Sequence, residues 1–234
     1  MGKQLFDQEP VFRTTIETCH SLIKSKVGWS LIDVLYDKSF ENLIQETAYC
    51  QPAIFSFQVA LCTLLKSWGI EPSAVIGFSM GEMAASHIAG FLTLEYALDT
   101  LLNSSKILQS IAGSGSMVAV IGAKETIQTM LQEYKDSIWI SAVNSNKSLT
   151  LAGDTEKLKE FVEKTGFVSQ WLSSNVPFHC PIVEPVKDQI LNMDLKCSNG
   201  RIPMYSTVTG LPVESFDAKY MWSNIRETGI IFSA

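Results

Sequence analysis

The sequence predicts an α/β protein of two lobes, the smaller inserted in the larger. Three observations carry this. The apolar run Ala74-Val75-Ile76 enters Gly77-Phe78-Ser79-Met80-Gly81 and then an Ala-rich segment, so a strand turns sharply into a helix. Between Met117 and Leu172, β-rich and amphipathic helical runs follow the order β-α-β-β-α-β, a ferredoxin-like split motif. The 234 residues are 46% hydrophobic and 18% charged, enough for one sizeable core or two unequal lobes.

Taken in chain order, Glu9 to Leu35 has helical spacing, with Phe12, Ile16, Cys19, Leu22 and Ile23 on one face and an interruption at Gly28. Gln51-Pro52 is expected to open an apolar helix that ends near Trp68-Gly69, with Pro in the first turn. Ala74 to Ile76 reads as a buried strand, Gly81 to Ala89 as a helix, and Thr93 as the cap of a helix through Gln109. Met117–Ile121, Ile138–Val143, Ser148–Ala152 and Phe167–Leu172 are the strands of the split motif. Lys124–Tyr134 and Thr155–Thr165 are its helices. Pro181 to Leu191 reads as a helix, and Met204 to Val208 as a strand before a turn at Gly210. The expected division is a large lobe with a parallel sheet over 1–112 and 182–234, and a small lobe over 113–181.

A net charge of −6 without a Lys/Arg cluster argues against nucleic acid or an anionic membrane as main partner. The longest apolar run, Ala53 to Leu65, is interrupted by Ser56 and Gln58; it is too short to span a bilayer and reads as a buried helix. The N-terminus has no apolar signal region. Five cysteines at irregular spacing, with no CxxC pair, fit neither a disulfide framework nor a zinc site. A reducing, cytoplasmic setting is expected, so the sequons at Asn103 and Asn146 read as chance.

A strand, Gly-x-Ser-x-Gly and a helix form the nucleophile-elbow arrangement of α/β-hydrolase-like folds. Such a turn lifts the Ser79 hydroxyl out and aims backbone N–H groups at an oxyanion; alternatively Ser79 merely caps a tight connection. A nucleophilic serine needs a base. Three histidines are present. His87 lies eight residues on along the same helix, roughly 12 Å away by the helical rise. His20 falls in the N-terminal helix as a surface or boundary residue. His179 lies in Asn175-Val-Pro-Phe-His-Cys-Pro, where the lobes rejoin, and is open to a structural or a catalytic reading.

Motifs in order along nearly the whole chain resemble the acyltransferase domain of polyketide and fatty acid synthases, the malonyl-CoA:acyl-carrier-protein transacylase family. Gly77 to Glu82 matches the family's Gly-His-Ser-x-Gly-Glu except at Phe78. Gln51-Pro52-Ala53, Ala84 to Glu95, Val143-Asn144 through Asp154, Phe178 to Pro185, Tyr205 to Gly210, and Trp222 through Phe232 match its other motifs, with one extra residue around Gly229. The resemblance implies that Ser79 takes an acyl group from a CoA thioester and that His179 is base, then acid. It implies that a backbone carbonyl at Asn224 steadies His179 and that Met80 N–H is an oxyanion donor. Gln51, Phe78, Ser104 and Phe178 would contact substrate. The acceptor would be the phosphopantetheine thiol of an acyl carrier protein, beside ketosynthase and other synthase domains, with no permanently bound cofactor and no metal.

Four departures accompany the match. The family's opening strand with Gly-Gln-Gly-Ser-Gln, whose glutamine backs the oxyanion hole, has no counterpart before Met1-Gly2-Lys3-Gln4-Leu5, and its last helix and strand would follow Ala234; the sequence reads as a piece of a longer domain. Phe78 replaces a histidine. The arginine that holds a malonyl carboxylate in the family falls on Ser104, with Lys106 on another helix face. The expected acyl group is therefore uncharged. A carrier-protein thioester hydrolase and an impaired, non-enzymatic scaffold are the alternatives. A generic esterase would need an acidic residue between serine and histidine, for which Asp154 alone is a candidate.

Overall fold

The computed structural model describes residues 1–230, so the Phe232 end of the last motif lies outside the described residues. The N-terminal part is helical: α1 (Lys3–Gln8), α2 (Pro10–Val27), α3 (Leu31–Tyr36) and α4 (Thr47–Ser67). Phe12, Ile16, Cys19 and Ile23 form the buried stripe of α2, whose end is set by Gly28 at φ 80°. α4 begins a turn earlier than Gln51-Pro52 predicts. Its early N–H of Ala48 bonds the Gln109 side chain at 3.2 Å, while Pro52 sits inside and Ser56 Oγ donates to the Pro52 carbonyl at 2.7 Å. At 21 residues and mean hydropathy 1.4, α4 is by length and composition alone long enough to cross a bilayer, unlike the shorter run read from the sequence. Here Phe55, Val59 and Leu64 join the core with residues of α2.

β1 (Val75–Ile76) leads through the Gly77–Met80 turn into α5 (Gly81–Ala89), and α6 (Leu94–Gln109) follows with Thr93 accepting from Tyr96 N–H at 3.3 Å. The predicted split motif is present as β2 (Ser116–Ile121), α7 (Lys124–Met130), β3 (Ile138–Ser145), β4 (Ser148–Gly153), α8 (Thr155–Thr165) and β5 (Val168–Trp171). Its strands pair antiparallel in the order β5-β2-β4-β3. Val118, Val120, Leu149, Leu151 and Phe161 form a core on one face of this sheet.

The chain then makes a 3₁₀ turn, Pro181–Val186, before α9 (Lys187–Leu191), so the single helix predicted there is two pieces; Pro185 has no N–H to continue an α ladder. β6 (Met204–Tyr205) pairs parallel with β1 and is shorter than the predicted run to Val208. Ser206 ends it, its Oγ accepting from Val208 and Thr209 N–H at 3.0 and 3.2 Å. Among the described residues β1 is paired on one edge only, which leaves Ile76 54% exposed rather than buried. α10 (Ala218–Arg226) is capped by Asp217, and β7 (Gly229–Ile230) adds a parallel fifth strand beside β3. Leu108, Val176, Val183, Ile190 and Trp222 form a further core that joins α6 to α9 and α10.

Candidate active site

Ser79 and His179 are the only non-glycine residues with positive φ among the described residues, at 53° and 61°. Both lie where side chains are rarely tolerated, and such strain concentrates at functional positions. The elbow forms because Gly77 lets the chain fold back on itself. A Cβ at Gly77 would lie 2.3 Å from the Gly81 carbonyl group, whereas one at Gly81 would meet nothing closer than 3.7 Å. The turn presents Ser79 Oγ at 2.8 Å from His179 Nε2. The N–H of Met80 precedes α5 and has no hydrogen-bond partner among the described residues, so it is free to meet an oxyanion.

The end of α10 holds His179 twice. The His179 backbone N–H donates to the Ile225 carbonyl at 3.0 Å, and the ring Nδ1 lies 2.8 Å from the Glu227 carbonyl. A carbonyl only accepts, so Nδ1 carries the proton and Nε2 offers its lone pair to the Ser79 hydroxyl. The steadying carbonyl is thus that of Glu227, not Asn224 as the resemblance implies. A helix must finish before its last carbonyls come free, and Glu227 is the C-terminal cap of α10. Burial pushes the His179 pKa below its ordinary 6.5, keeping the ring neutral. The carbonyl at the negative end of the helix stabilises the imidazolium when a proton arrives.

A carboxylate that the sequence matches to the elbow motif without giving it a role connects the two halves. Glu82, in the first turn of α5 and 1% exposed, accepts from Thr207 N–H and Thr207 Oγ1, both at 2.8 Å, and from Tyr220 O–H at 2.6 Å. Burial raises its pKa, opposed by these hydrogen bonds and by neighbouring Asn224. Asn224 Nδ2 itself completes no hydrogen bond within the described residues. Thr207 also accepts from Ile230 N–H at 2.8 Å through its carbonyl, so the network runs from the elbow to α10 and β7. A lone acid among Met83, Ala84 and Ala85 is the sequence signal that marks it.

Ser79 and His179 open on a cavity of about 310 Å³. Gln51, Phe78, Ser104, Phe178 and Asn224 all line it, as the sequence reading expects for the first four. Phe78 stacks beside His179 at 6.4 Å between ring centres and packs on Gly229, where a Cβ would meet the ring at 2.5 Å. Ser104 is fully buried and donates to the Leu101 carbonyl at 3.2 Å, which occupies its proton. Among the described residues no Lys or Arg lines the cavity. Lys106 is exposed, Arg201 packs on Gly90, and Arg226 pairs with Glu184 at 2.7 Å. His87 instead bonds the Leu92 carbonyl at 3.0 Å, His20 is half-buried on α2, and Asp154 caps α8. No group of three metal-ligating side chains occurs among the described residues.

The acyl transferase domain family model matches residues 1–231. The chain is 31% identical over 235 residues to an erythronolide synthase of Saccharopolyspora erythraea, covering 97% of the chain and 7% of that protein. It is 33% identical over 242 residues to a mycocerosic acid synthase-like polyketide synthase of Mycolicibacterium smegmatis, covering all of the chain and 11% of that protein. The chain thus spans a small part of these relatives. A loading acyltransferase from the avermectin modular polyketide synthase superposes with a TM-score of 0.92 at 27% identity, over 98% of this chain and 76% of that one. With an elbow serine, a histidine at hydrogen-bond distance and this match along its length, the chain belongs to the acyltransferase domain family of polyketide synthases.

Proposed function

We propose that this domain moves an uncharged acyl group from CoA to the phosphopantetheine thiol of an acyl carrier protein, through an ester on Ser79. The single observation that carries the reading is the 2.8 Å contact between Ser79 Oγ and the neutral Nε2 of His179. Ser79 attacks the thioester carbonyl while its proton passes to Nε2. The oxyanion meets Met80 N–H, and the CoA sulfur leaves with the proton from His179. The acceptor thiol then gives its proton to Nε2 and displaces Ser79, which recovers it. Gln51, Phe78, Phe178 and Asn224 shape the acyl chamber beside Ser104.

A cavity wall without Lys or Arg among the described residues supports an uncharged acyl group, because a buried carboxylate without a partner is strongly disfavoured. Carrier protein and ketosynthase domains are the expected partners, in the cytoplasm, with no permanently bound cofactor. The lobes divide at 1–112 with 182–234 against 113–181, β7 reaching across to the small lobe's sheet.

Intact-protein mass spectrometry after incubation with a panel of acyl-CoAs tests the reading. One acyl group should add to the wild type and none to Ser79→Ala. Acylation that persists in Ser79→Ala defeats it, and acyl release without a carrier protein at the transfer rate would favour a hydrolase.

A further inference from the structure

β3 breaks its alternation at Ser141. Ile138 and Ile140 face the small-lobe core, as does Val143, three residues after Ile140 rather than two. The pairing with β4 slips between Ile140 and Ala142, so Ile140 opposes Leu151 and Ala142 opposes Thr150. This is a β-bulge, and it turns two consecutive residues, Ser141 and Ala142, towards the cavity that holds Ser79 and His179. Ser141 is fully buried, yet its Oγ has no hydrogen-bond partner among the described residues. That is uncommon, since a buried hydroxyl ordinarily finds a partner. Ser104 on the opposite wall shows the ordinary outcome, its proton given to a helix carbonyl. Thr150, beside the bulge and also lining the cavity, accepts from Asn144 Nδ2 at 3.1 Å and keeps its own proton to donate.

A chamber lined by Met83, Leu101, Leu108 and Phe216 therefore carries two hydroxyls on the small-lobe sheet, facing it together with large-lobe polar groups such as Gln51 and Asn224. Building on the uncharged-acyl reading above, we infer that Ser141 is a specificity residue, which with Thr150 recognises an uncharged oxygen substituent, a hydroxyl, ether or keto group, on the acyl chain. Two neutral O–H donors match the lone pairs of such an oxygen. They do not replace a cation for a carboxylate, whose desolvation a neutral hydrogen bond does not offset. A plain alkyl chain of equal length would leave both hydroxyls unpaired, and sites built for a polar group discriminate on that basis.

The test compares Ser79 loading rates for butyryl-CoA, its 2-, 3- and 4-hydroxy derivatives and malonyl-CoA, in the wild type, Ser141→Ala and Thr150→Val. At least one hydroxybutyryl-CoA should load about five- to thirtyfold faster than butyryl-CoA, the range of one or two neutral hydrogen bonds. Ser141→Ala should bring the ratio of hydroxybutyryl to butyryl loading rates down to about one, because only the hydroxy derivative loses a hydrogen bond. Thr150→Val should reduce it, providing a second variant should the first fold poorly. The inference is overturned if the wild type shows no preference for any hydroxy derivative. It is equally overturned if Ser141→Ala slows butyryl and hydroxybutyryl loading alike, which would place the hydroxyl against the pantetheine arm, or if malonyl-CoA is the substrate that loses rate. Failure of every acyl-CoA to label Ser79 would instead defeat the acyl-serine reading itself.

Discussion

The Glu227 carbonyl accepts from His179 Nδ1 at 2.8 Å, so the orientation of the candidate base is set by the end of a helix and not by a carboxylate. Ser79 sits on the other side of the same ring, 2.8 Å from Nε2. The partner is backbone, so no side-chain substitution at 227 removes it directly. His179→Ala should lower the rate of Ser79 acylation by about 10²–10⁴-fold, the usual share of general acid–base catalysis. Glu227→Ala should leave it nearly unchanged, as should His87→Ala, whose ring bonds Leu92 instead. Single-turnover loading measures all three. A Glu227→Ala loss as large as that of His179→Ala, in a folded protein, would mean that the carboxylate and not the carbonyl matters.

The same ring predicts a pH dependence. Burial disfavours the imidazolium, so the folded-state pKa of His179 lies below the ordinary 6.5. The acid limb of kcat/KM for loading should therefore fall with a midpoint below 6.5, and the enzyme should hold full activity at pH 7. For stability the sign is fixed by proton uptake. Between the depressed folded value and 6.5 the unfolded chain binds more protons, so stability rises with pH across that window. The contribution is complete above the window and lost as pH falls through the folded value. Urea unfolding at several pH values checks this, and His179→Ala should flatten that part of the slope.

Much of this site is legible in the sequence because it is made of local turns. The elbow needs a strand, a small residue and a helix in a fixed order, and Ala74 to Ala89 spells that out. The ferredoxin-like order is equally legible, since its strands and helices switch hydrophobic period within a few residues. What escapes is whatever the backbone supplies or tertiary contact decides. A carbonyl carries no residue signature, so Glu227 is invisible and the family pattern points three positions too early. The start of α4 is set by Gln109, 61 positions away, which supplies the acceptor for Ala48 N–H. The bulge at Ser141 is hidden because Ser-Ala in a strand looks the same with or without it. β7 has two residues among those described and gains its partner only when the chain returns to β3.

The two elbow glycines should respond differently to the same substitution. Gly77→Ala would drive a methyl into the Gly81 and Glu82 backbone at 2.3–2.4 Å, where no side chain can swing aside. It should unfold the elbow or abolish Ser79 acylation. Gly81→Ala opens the first turn of α5 with its nearest neighbour at 3.7 Å, and alanine favours helix over glycine by about 0.5–1 kcal/mol. It should fold normally with an equal or higher melting temperature. Thermal unfolding of the pair decides this, and equal damage from both would show that the close approach at Gly77 is not what fixes the turn.

Glu82 should behave as a brace between the elbow and α10. Tyr220→Phe removes one hydrogen bond to a charged group and should cost about 1.5–3 kcal/mol in urea unfolding. Glu82→Ala strands the Thr207 N–H and the Tyr220 hydroxyl, while Thr207 Oγ1 can still turn to the Gly77 carbonyl at 3.3 Å, at about 1–3 kcal/mol for each group left unsatisfied. It should therefore be the more damaging change, with Glu82→Gln between the two because its amide offers one acceptor oxygen where the carboxylate offers two. Loading should fall in kcat with little change in KM, since the brace aligns Ser79 with His179 and touches no substrate. A Glu82→Ala protein as stable as the wild type would refute the brace.

Ser104 is where the proposed preference for an uncharged acyl group can be tested. A malonyl group brings a full negative charge into a cavity whose wall, among the described residues, has no Lys or Arg. Ser104 faces that cavity with its proton already given to Leu101, and Phe78 lowers the polarity near His179 further. An acetyl or longer uncharged acyl group brings no such charge and gains about 25 cal/mol for each Å² of apolar contact. Breaking a buried charge pair costs about 3–5 kcal/mol, so wild-type discrimination against malonyl-CoA should be on the order of 10² or more. Ser104→Arg would supply a permanently ionised, bidentate partner from the same helix position. The arginine must find room where Ser104 is fully buried, so part of its head should extend into the 310 Å³ cavity and shorten it for alkyl chains. The variant should therefore gain malonyl loading and lose the longest uncharged acyl groups together. A competition between equal malonyl-CoA and acetyl-CoA, read by the mass added to Ser79, measures both enzymes. Predominant malonyl loading by the wild type would show that a cation reaches the cavity after all.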